Sequence, residues 1–262
     1  MVATTLGTPP QLLTRSGPGL SDAARYLVIP EGIVTTGFPA VRNTCLQLKI
    51  VFDPWQDGAG KAILGKRKDE LYAADADTFN DMKAMAQRAD LAPHIDRVLT
   101  GVGNQSIEFH NGSVIRFGAR ERGFGRGFKN VGIVVFDEAQ ILTANALDDM
   151  VPSTNRAKNP LIFYIGTPPK PNDPSEVFQQ LRNDALSGES TDTLYMEMSA
   201  DKDADPNDRE QWAKANPSYP VHTSARAMLR MKKNLGPESF LREALGVWDA
   251  VGSLGVFTPG AW

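Results

Sequence analysis

Apolar residues in this chain gather into short continuous runs that stop abruptly at polar residues. The clearest run, residues 131–136, reads Val-Gly-Ile-Val-Val-Phe and ends at two adjacent carboxylates, Asp137 and Glu138. A second run, residues 161–165, reads Leu-Ile-Phe-Tyr-Ile and ends at Gly166 and Thr167. Such runs are typical of strands buried on both faces of a parallel sheet. We therefore predict adjacent parallel strands at 132–137 and 161–166, joined by a crossover that contains a helix.

Other patterns predict the elements around these strands. Apolar residues at helical spacing follow Thr78 and predict a helix from that residue, and further helical segments are interrupted at Pro54. Two alternating segments flank Asn111 and Gly112, which predicts a β-hairpin closed by a type I′ turn. A third strand is expected at 194–198, and helices over 208–248. The order of elements favours an α/β fold with a mostly parallel sheet flanked by helices and one β-hairpin.

Composition narrows the class of protein. With 262 residues, 41% hydrophobic and 23% charged, the chain is long and balanced enough for one large globular domain, which disfavours disordered and membrane proteins. The N-terminus lacks a secretory pattern, so we expect the protein to stay in the cytoplasm. One cysteine and three histidines offer no disulfide and no soft-metal cluster, and any metal is expected to be Mg²⁺ on oxygen ligands.

The net charge of −3 gives no general attraction to nucleic acid. DNA binding would therefore need a local basic surface, and one segment offers it. Its basic residues are Arg116, Arg120, Arg122, Arg126 and Lys129.

Two acids at the end of a buried strand suit nucleotide hydrolysis. Asp137 would hold Mg²⁺, and Glu138 would orient or deprotonate the attacking water. That arrangement is a Walker B motif followed by a catalytic glutamate. The alternative is a structural strand whose two acids cap the helix that follows.

With these motifs the chain resembles the ATPase domain of the large terminase subunit of tailed phages, and it is most similar to terminases of phages that infect actinobacteria. The resemblance rests on several segments together: Asp-Pro-Trp-Gln at 53–56, the hairpin, Arg-Gly-Phe at 126–128, residues 133–140, Ile-Gly-Thr-Pro at 165–168, Ala-Asn-Pro at 215–217, Phe-Leu-Arg-Glu at 240–243 and Gly-Val-Trp at 246–248.

The resemblance implies roles for residues at the two strand ends. Asp137 matches the Walker B aspartate that binds the metal, and Glu138 matches the catalytic glutamate. Gly166 and Thr167 match the coupling motif, in which a small polar residue senses the γ-phosphate.

Three further residues receive roles from the resemblance. Trp55 and Gln56 match the segment that contacts the adenine, with core packing as the alternative for Trp55. Arg126 matches a glycine-rich loop ahead of the acids, where an arginine senses phosphate, acts in trans or contacts DNA. The alternative for Arg126 is an ordinary solvated loop residue.

The resemblance also implies the larger context. The expected fold is a P-loop NTPase-like sheet of the ASCE or RecA-like type, and the expected cofactors are ATP and Mg²⁺. The expected partners are double-stranded DNA, a portal protein, a small terminase subunit and further copies in a ring, with no membrane, in the host cytoplasm. The expected domains are a flexible arm at 1–25, the ATPase domain at 26–250 and, at 251–262, the start of a linker to a nuclease domain that is absent.

One part of the family pattern is missing from its expected place. The family carries Gly-x-x-x-x-Gly-Lys-Ser/Thr between the Trp-Gln segment and the helix at Thr78, yet residues 71–78 leave no room for that unit. Residues 60–66 satisfy its first seven positions, but Arg67 replaces the hydroxyl and no apolar strand precedes it. The alternative for Lys61, Lys66, Arg67 and Lys68 is a solvated helical face.

Three interpretations therefore remain. The first is a terminase ATPase domain that drives DNA translocation, with hydrolysis impaired in this copy. The second is a fragment of a DEAD-like helicase, and the third is a non-catalytic terminase remnant that serves as an interaction module.

Overall fold

The structure is a computed structural model that describes residues 17–31, 33–48, 50–67, 79–101, 103–118 and 124–249. Residues 1–16 of the expected arm, the junction at 71–78, and residues 250–262 lie outside this part of the chain. Arg120 and Arg122 of the predicted basic segment also lie outside it.

Nine α-helices are present in the described residues. They are α1 (Leu20–Ala23), α2 (Phe38–Gln47), α3 (Pro54–Ile63), α4 (Phe79–Ala86), α5 (Ala144–Met150), α6 (Glu176–Ser187), α7 (Arg209–Ala215), α8 (Ala225–Asn234) and α9 (Pro237–Glu243).

The described strands form small sheets. The strands are β1 (Tyr26–Val28), β2 (Ile33–Thr36), β3 (Gly65–Arg67), β4 (Ile95–Leu99), β5 (Gln105–Phe109), β6 (Val114–Phe117), β7 (Ile133–Phe136), β8 (Leu161–Tyr164) and β9 (Tyr195–Glu197). The sheets pair β1 with β9, β2 with β3, β5 with both β4 and β6, and β7 with β8.

The predicted parallel pair is confirmed. Strands β7 and β8 run parallel, with Ile133 opposite Leu161 and Phe136 opposite Tyr164. Helix α5 lies in the connection between them, as a parallel crossover requires. The carboxyl ends of both strands therefore meet at one edge.

The wider sheet differs from the prediction. Within the described residues only β7 and β8 are parallel, and the predicted third strand, β9, pairs antiparallel with β1 instead. The observed class is mixed α/β with small sheets rather than a mostly parallel sheet. Val134 and Phe136 on one face of β7 are buried, but on the other face Ile133 is 45% exposed and Val135 is only partly buried, so the prediction that this strand is buried on both faces is wrong.

The β-hairpin is confirmed, but its turn type is not. Strands β5 and β6 pair antiparallel around Asn111 and Gly112. Only Gly112 of these two has a positive φ, at 85°, whereas a type I′ turn needs positive φ at both central residues. The amide of Gly112 donates to the carbonyl of Phe109, and the Asn111 side chain accepts from the amide of Ser113 at 2.9 Å. A type I turn followed by a left-handed glycine explains these bonds.

Two buried clusters hold the described chain together. The first joins Val134 and Phe136 of β7 to Ala139, Leu142 and Ala146. The second contains Ala200, Trp212, Met228, Phe240 and Leu245 and packs α7, α8 and α9 against each other. The first cluster fixes the strand that carries the two acids, so their backbone position follows from apolar packing.

Residues 17–25, which precede β1, fall within the N-terminal arm expected at 1–25. Residues 17–25 contain helix α1, whose Leu20 and Ala23 are buried, and α1 packs against α3. Among the described residues, no helix has the length and apolar character needed to cross a membrane.

Candidate functional site

The two acids lie on an exposed turn at the end of β7. We call residues 137–140 the acidic turn. Asp137 and Glu138 are exposed, whereas Ala139 and Gln140 behind them are buried. Glu138 adopts φ 53° and ψ 49°, a left-handed conformation that non-glycine residues seldom take. The turn thus presents both carboxylates to solvent and buries its second half.

Hydrogen bonds within the acidic turn orient its carboxylates. The amide of Glu138 donates to Oδ1 of Asp137 at 3.1 Å. The side-chain amide of Gln140 donates to Oε2 of Glu138. Oε1 of Gln140 is buried and has no hydrogen-bond partner. Gln140 therefore orients the carboxylate of Glu138 from the buried side of the turn, a role that the sequence did not suggest.

Gly166 and Thr167 lie beside the acidic turn, as predicted. The amide of Ile165 donates to the carbonyl of Phe136 at 3.0 Å, and the amide of Ala139 donates to the carbonyl of Ile165 at 2.8 Å. A Cβ atom on Gly166 would collide with Oε1 of Gln140. The same Cβ would lie 3.2 Å from the backbone nitrogens of Ala139 and Gln140, so the close approach of the two strand ends favours glycine at position 166.

Thr167 connects the strand end to helix α9. Its hydroxyl donates to Oε2 of Glu243 over 3.4 Å, and Nζ of Lys170 lies 3.6 Å from Oε1 of the same carboxylate. Glu243 is 76 residues away in sequence. The motif Phe-Leu-Arg-Glu at 240–243 entered the resemblance, but nothing in its local pattern assigned Glu243 to this place.

Arg126, in the loop before β7, forms an ion pair with Asp149 of helix α5. Its Nε lies 2.5 Å from Oδ1 of Asp149, near the end of α5, and the arginine side chain stays 77% exposed. The pair fixes the loop that precedes β7 to the helix that follows it. Arg116, another member of the basic segment, lies over the ring of Phe128 at 5.4 Å.

Trp55 and Gln56 occupy the first turn of α3. Oε1 of Gln56 accepts from the amide of Asp53 at 2.8 Å, and the Asp53 side chain accepts from the backbone of Gln56, so the two form a capping box. Trp55 is partly buried, and its Nε1 is buried without a hydrogen-bond partner. Helix α3 packs against α1 and α2, whereas the acidic turn packs with β8 and α6.

Residues 60–66 do not form a phosphate-binding loop. Gly60 and Lys61 belong to α3, and Gly65 starts β3, which pairs antiparallel with β2. A P-loop leads from a strand into a helix, and this segment leads from a helix into a strand. The expectation of a helical face is wrong for Lys66 and Arg67, which lie in β3. Lys61 lies in α3, is exposed and pairs with Asp57 at 2.7 Å, and Lys68 lies outside the described residues.

The donors at the acidic turn fit Mg²⁺ only in partnership with a phosphate. Mg²⁺ often binds to one or two carboxylates, substrate phosphates and water. In the described part of the chain, no group of three or more His, Cys, Asp or Glu side chains could hold a metal ion by itself. The acidic turn thus suits a shared Mg²⁺, whereas residues 60–66 do not fit a triphosphate.

Comparison with known proteins shows the fold. No protein-family model matches this chain, and no curated protein matches it. The structure is similar to the crystal structure of the HK97 bacteriophage large terminase, with a TM-score of 0.51 and 20% sequence identity. The match covers 65% of this chain and 36% of the terminase chain. The chain therefore has a terminase-like fold, and the predicted closeness to actinobacterial phage terminases stays a prediction.

Proposed function

We propose that this chain is the ATPase-type domain of a phage large terminase, built for the motor that packages DNA, and that hydrolysis is impaired in this copy. One observation carries the proposal. In a chain with a terminase-like fold, the parallel pair β7 and β8 brings Asp137 and Glu138 next to Gly166 and Thr167. The proposal includes a P-loop NTPase-like core, ATP and Mg²⁺ as cofactors, double-stranded DNA as substrate, and assembly with a portal protein and a small subunit as a ring in the host cytoplasm.

Each residue of the site has a proposed task. Mg²⁺ would neutralise phosphate charge. Asp137 offers an oxygen ligand to that ion, and Glu138, held by Gln140, faces solvent where it orients water. Thr167 presents a hydroxyl at the same edge.

The proposal of impaired hydrolysis rests on the missing Gly-x-x-x-x-Gly-Lys-Ser/Thr unit, and the geometry of residues 60–66 supports it. Backbone amides and a lysine at a strand-to-helix loop normally neutralise the phosphates, and here the glycines lie in a helix and at the start of a strand. Without that cradle, the charge that develops in the transition state is poorly neutralised.

Phosphate release tests the impairment. Steady-state release is measured with Mg²⁺ and ATP, with and without double-stranded DNA, for the chain and for Glu138→Gln. We expect both proteins to remain at background. Clear turnover that disappears in Glu138→Gln would show an intact hydrolase and overturn the impaired site.

Nucleotide binding tests the site itself. We expect weak, Mg²⁺-dependent binding of a fluorescent ATP analogue, detected by anisotropy, and a several-fold loss of affinity in Asp137→Asn. Asp148→Asn is the matched control, because Asp148 is an exposed carboxylate on α5 outside the acidic turn. Equal losses in both variants, or no binding by the unmodified chain, would favour the non-catalytic module. Separation of DNA strands would favour the helicase instead.

A further inference from the structure

A groove opens beside Thr167, between the segment that follows β8 and the pair of helices α8 and α9. Its volume is about 530 Å³, which is large enough for a phosphate-bearing group. Lys170 lines one wall, and Arg230, Ser239 and Glu243 line the other together with three further residues of α8 and its C-terminal end. We call this feature the α8–α9 groove.

The charged groups of the α8–α9 groove favour an anion. Lys170 and Arg230 supply two exposed cations, and Ser239 adds a hydroxyl. Among the described residues that line the groove, Glu243 carries the one carboxylate. An ammonium, a guanidinium and a hydroxyl around an open space are the donors that bind phosphate oxygens.

Glu243 occupies the place that an anion would take. Its two oxygens face the Thr167 hydroxyl at 3.4 Å and the Lys170 ammonium at 3.6 Å. Both distances are long for a charge-assisted contact, which is typically 2.7–2.9 Å. The carboxylate is therefore held loosely between two donors that a phosphate would satisfy better.

The backbone that carries Glu243 is firmly anchored. Phe240 and Leu245, on either side of it, are 1% and 0% exposed in the second buried cluster. The Glu243 side chain is itself 30% exposed, so we expect a change of its rotamer to leave α9 in place. Displacement of the carboxylate thus requires no rearrangement of the fold.

We propose that the α8–α9 groove binds a phosphate group through Lys170, Arg230 and the Thr167 hydroxyl, and that Glu243 fills the phosphate position in the ligand-free protein. The phosphate belongs either to a small phosphate compound or to a nucleic-acid backbone. This site shares Thr167 with the proposed function but goes beyond it, because it uses neither Asp137 nor Glu138 and needs no hydrolysis.

The test measures binding to the full chain at low ionic strength without Mg²⁺, so that the acidic turn does not contribute. One arm titrates sodium tripolyphosphate by calorimetry, and the other titrates a labelled 20-base-pair duplex by anisotropy. Glu243→Gln keeps the shape of the side chain and removes its charge. Glu238→Gln is the matched control, because Glu238 is exposed on the same helix and does not line the groove.

We expect Glu243→Gln to bind at least one probe about fivefold more tightly than the unmodified chain, and Glu238→Gln to stay within about twofold of it. Adding Lys170→Ala or Arg230→Ala to Glu243→Gln should abolish the gain. A gain for tripolyphosphate alone assigns the groove to small phosphate compounds, and a gain for the duplex alone assigns it to a nucleic-acid backbone.

Two results would overturn the proposal. One is an equal gain in Glu238→Gln and Glu243→Gln, which would show that net charge alone is responsible. The other is the absence of binding to both probes by every variant that keeps its circular dichroism spectrum and a cooperative thermal transition.

Discussion

At the scale of single residues, the acidic turn concentrates backbone strain at the proposed catalytic position. Glu138 has a left-handed backbone that costs a non-glycine residue about 1–2 kcal/mol. The side-chain amide of Gln140 and the packing of Ala139, which is fully buried, hold the turn in this shape. Local contacts therefore compensate for a conformation that places the second carboxylate in solvent.

Substitutions at position 138 test this strain. Glu138→Gly removes the Cβ that makes the left-handed conformation unfavourable, whereas Glu138→Ala keeps the Cβ and loses the same contact with Gln140. We expect the glycine variant to be more stable than the alanine variant by about 1 kcal/mol, measured by urea unfolding. An alanine variant equal to or more stable than the glycine variant would contradict the strain.

At the scale of elements, Gly60, the first glycine of the partial phosphate-loop motif, and Gly58, two residues before it, are needed for helix packing. Gly60 lies in α3, and a Cβ there would collide with the ring of Phe38, which is 3% exposed. On Gly58 a Cβ would lie 2.6 Å from Cβ of Leu20 in α1. The two glycines thus let α1 and α2 approach α3 closely, and packing accounts for the first glycine of the motif match.

Gly60→Ala separates this packing role from helix propensity. Alanine favours an isolated helix by about 1 kcal/mol over glycine, yet the collision with Phe38 should make the variant less stable by about 1–3 kcal/mol. Thermal or urea unfolding gives the difference. In the background Phe38→Leu, a smaller neighbour, the cost of Gly60→Ala should shrink; a stabilising Gly60→Ala in the native background would refute the packing role.

Elements defined by local patterns could be predicted, and their long-range partners could not. The parallel pairing of β7 and β8 followed from two apolar runs and a crossover of suitable length. Strand β9 was found where predicted, but its partner β1 lies about 170 residues earlier, and no local signal specifies that pairing. In the hairpin, Asn111 and Gly112 marked the position of the turn, while the actual loop length selected a different turn type.

The sequence likewise predicted only part of the candidate site. Asp137, Glu138, Gly166 and Thr167 were placed together because parallel strands share an edge. Gln140 and Glu243 were missed because their roles depend on side-chain contacts, one beneath the turn and one from a distant helix.

At the scale of the whole molecule, residues 25–28 near the start of the described chain contact the C-terminal part of the chain. Strand β1 pairs with β9, and Nη1 of Arg25 donates to the carbonyl of Ala200 and to the carboxylate of Asp201, each at 2.8 Å. Asp201 also accepts from Lys214 and Gln211 of α7. One carboxylate therefore links the beginning of the described chain to its helical end.

This link should depend on pH. Hydrogen bonds from Lys214, Gln211 and Arg25 hold the pKa of Asp201 well below its usual range. A pKa that is lower in the folded state adds stability above the unfolded pKa of about 3.9, and the stability is lost as the pH falls below it. We expect Asp201→Asn to unfold at lower urea than the unmodified chain at pH 7, with the difference narrowing from about pH 4 downward. The exposed Asp203→Asn is the control, and a difference that persists unchanged at low pH would exclude this linkage.

One edge of β7, with which no other described strand pairs, also bears on the colloidal behaviour of the protein. No other described strand pairs with the far side of β7, and Ile133 on this strand is 45% exposed. A short apolar edge of this kind offers a template for pairing between molecules.

Concentrated solutions should therefore form β-rich aggregates on warming, seen by light scattering. Ile133→Lys should suppress them, whereas Val221→Lys, which changes a more exposed residue outside the strands, should not. Equal protection by both lysines would assign the aggregation to general charge, and selective protection would make β7 the position at which to engineer a more soluble chain.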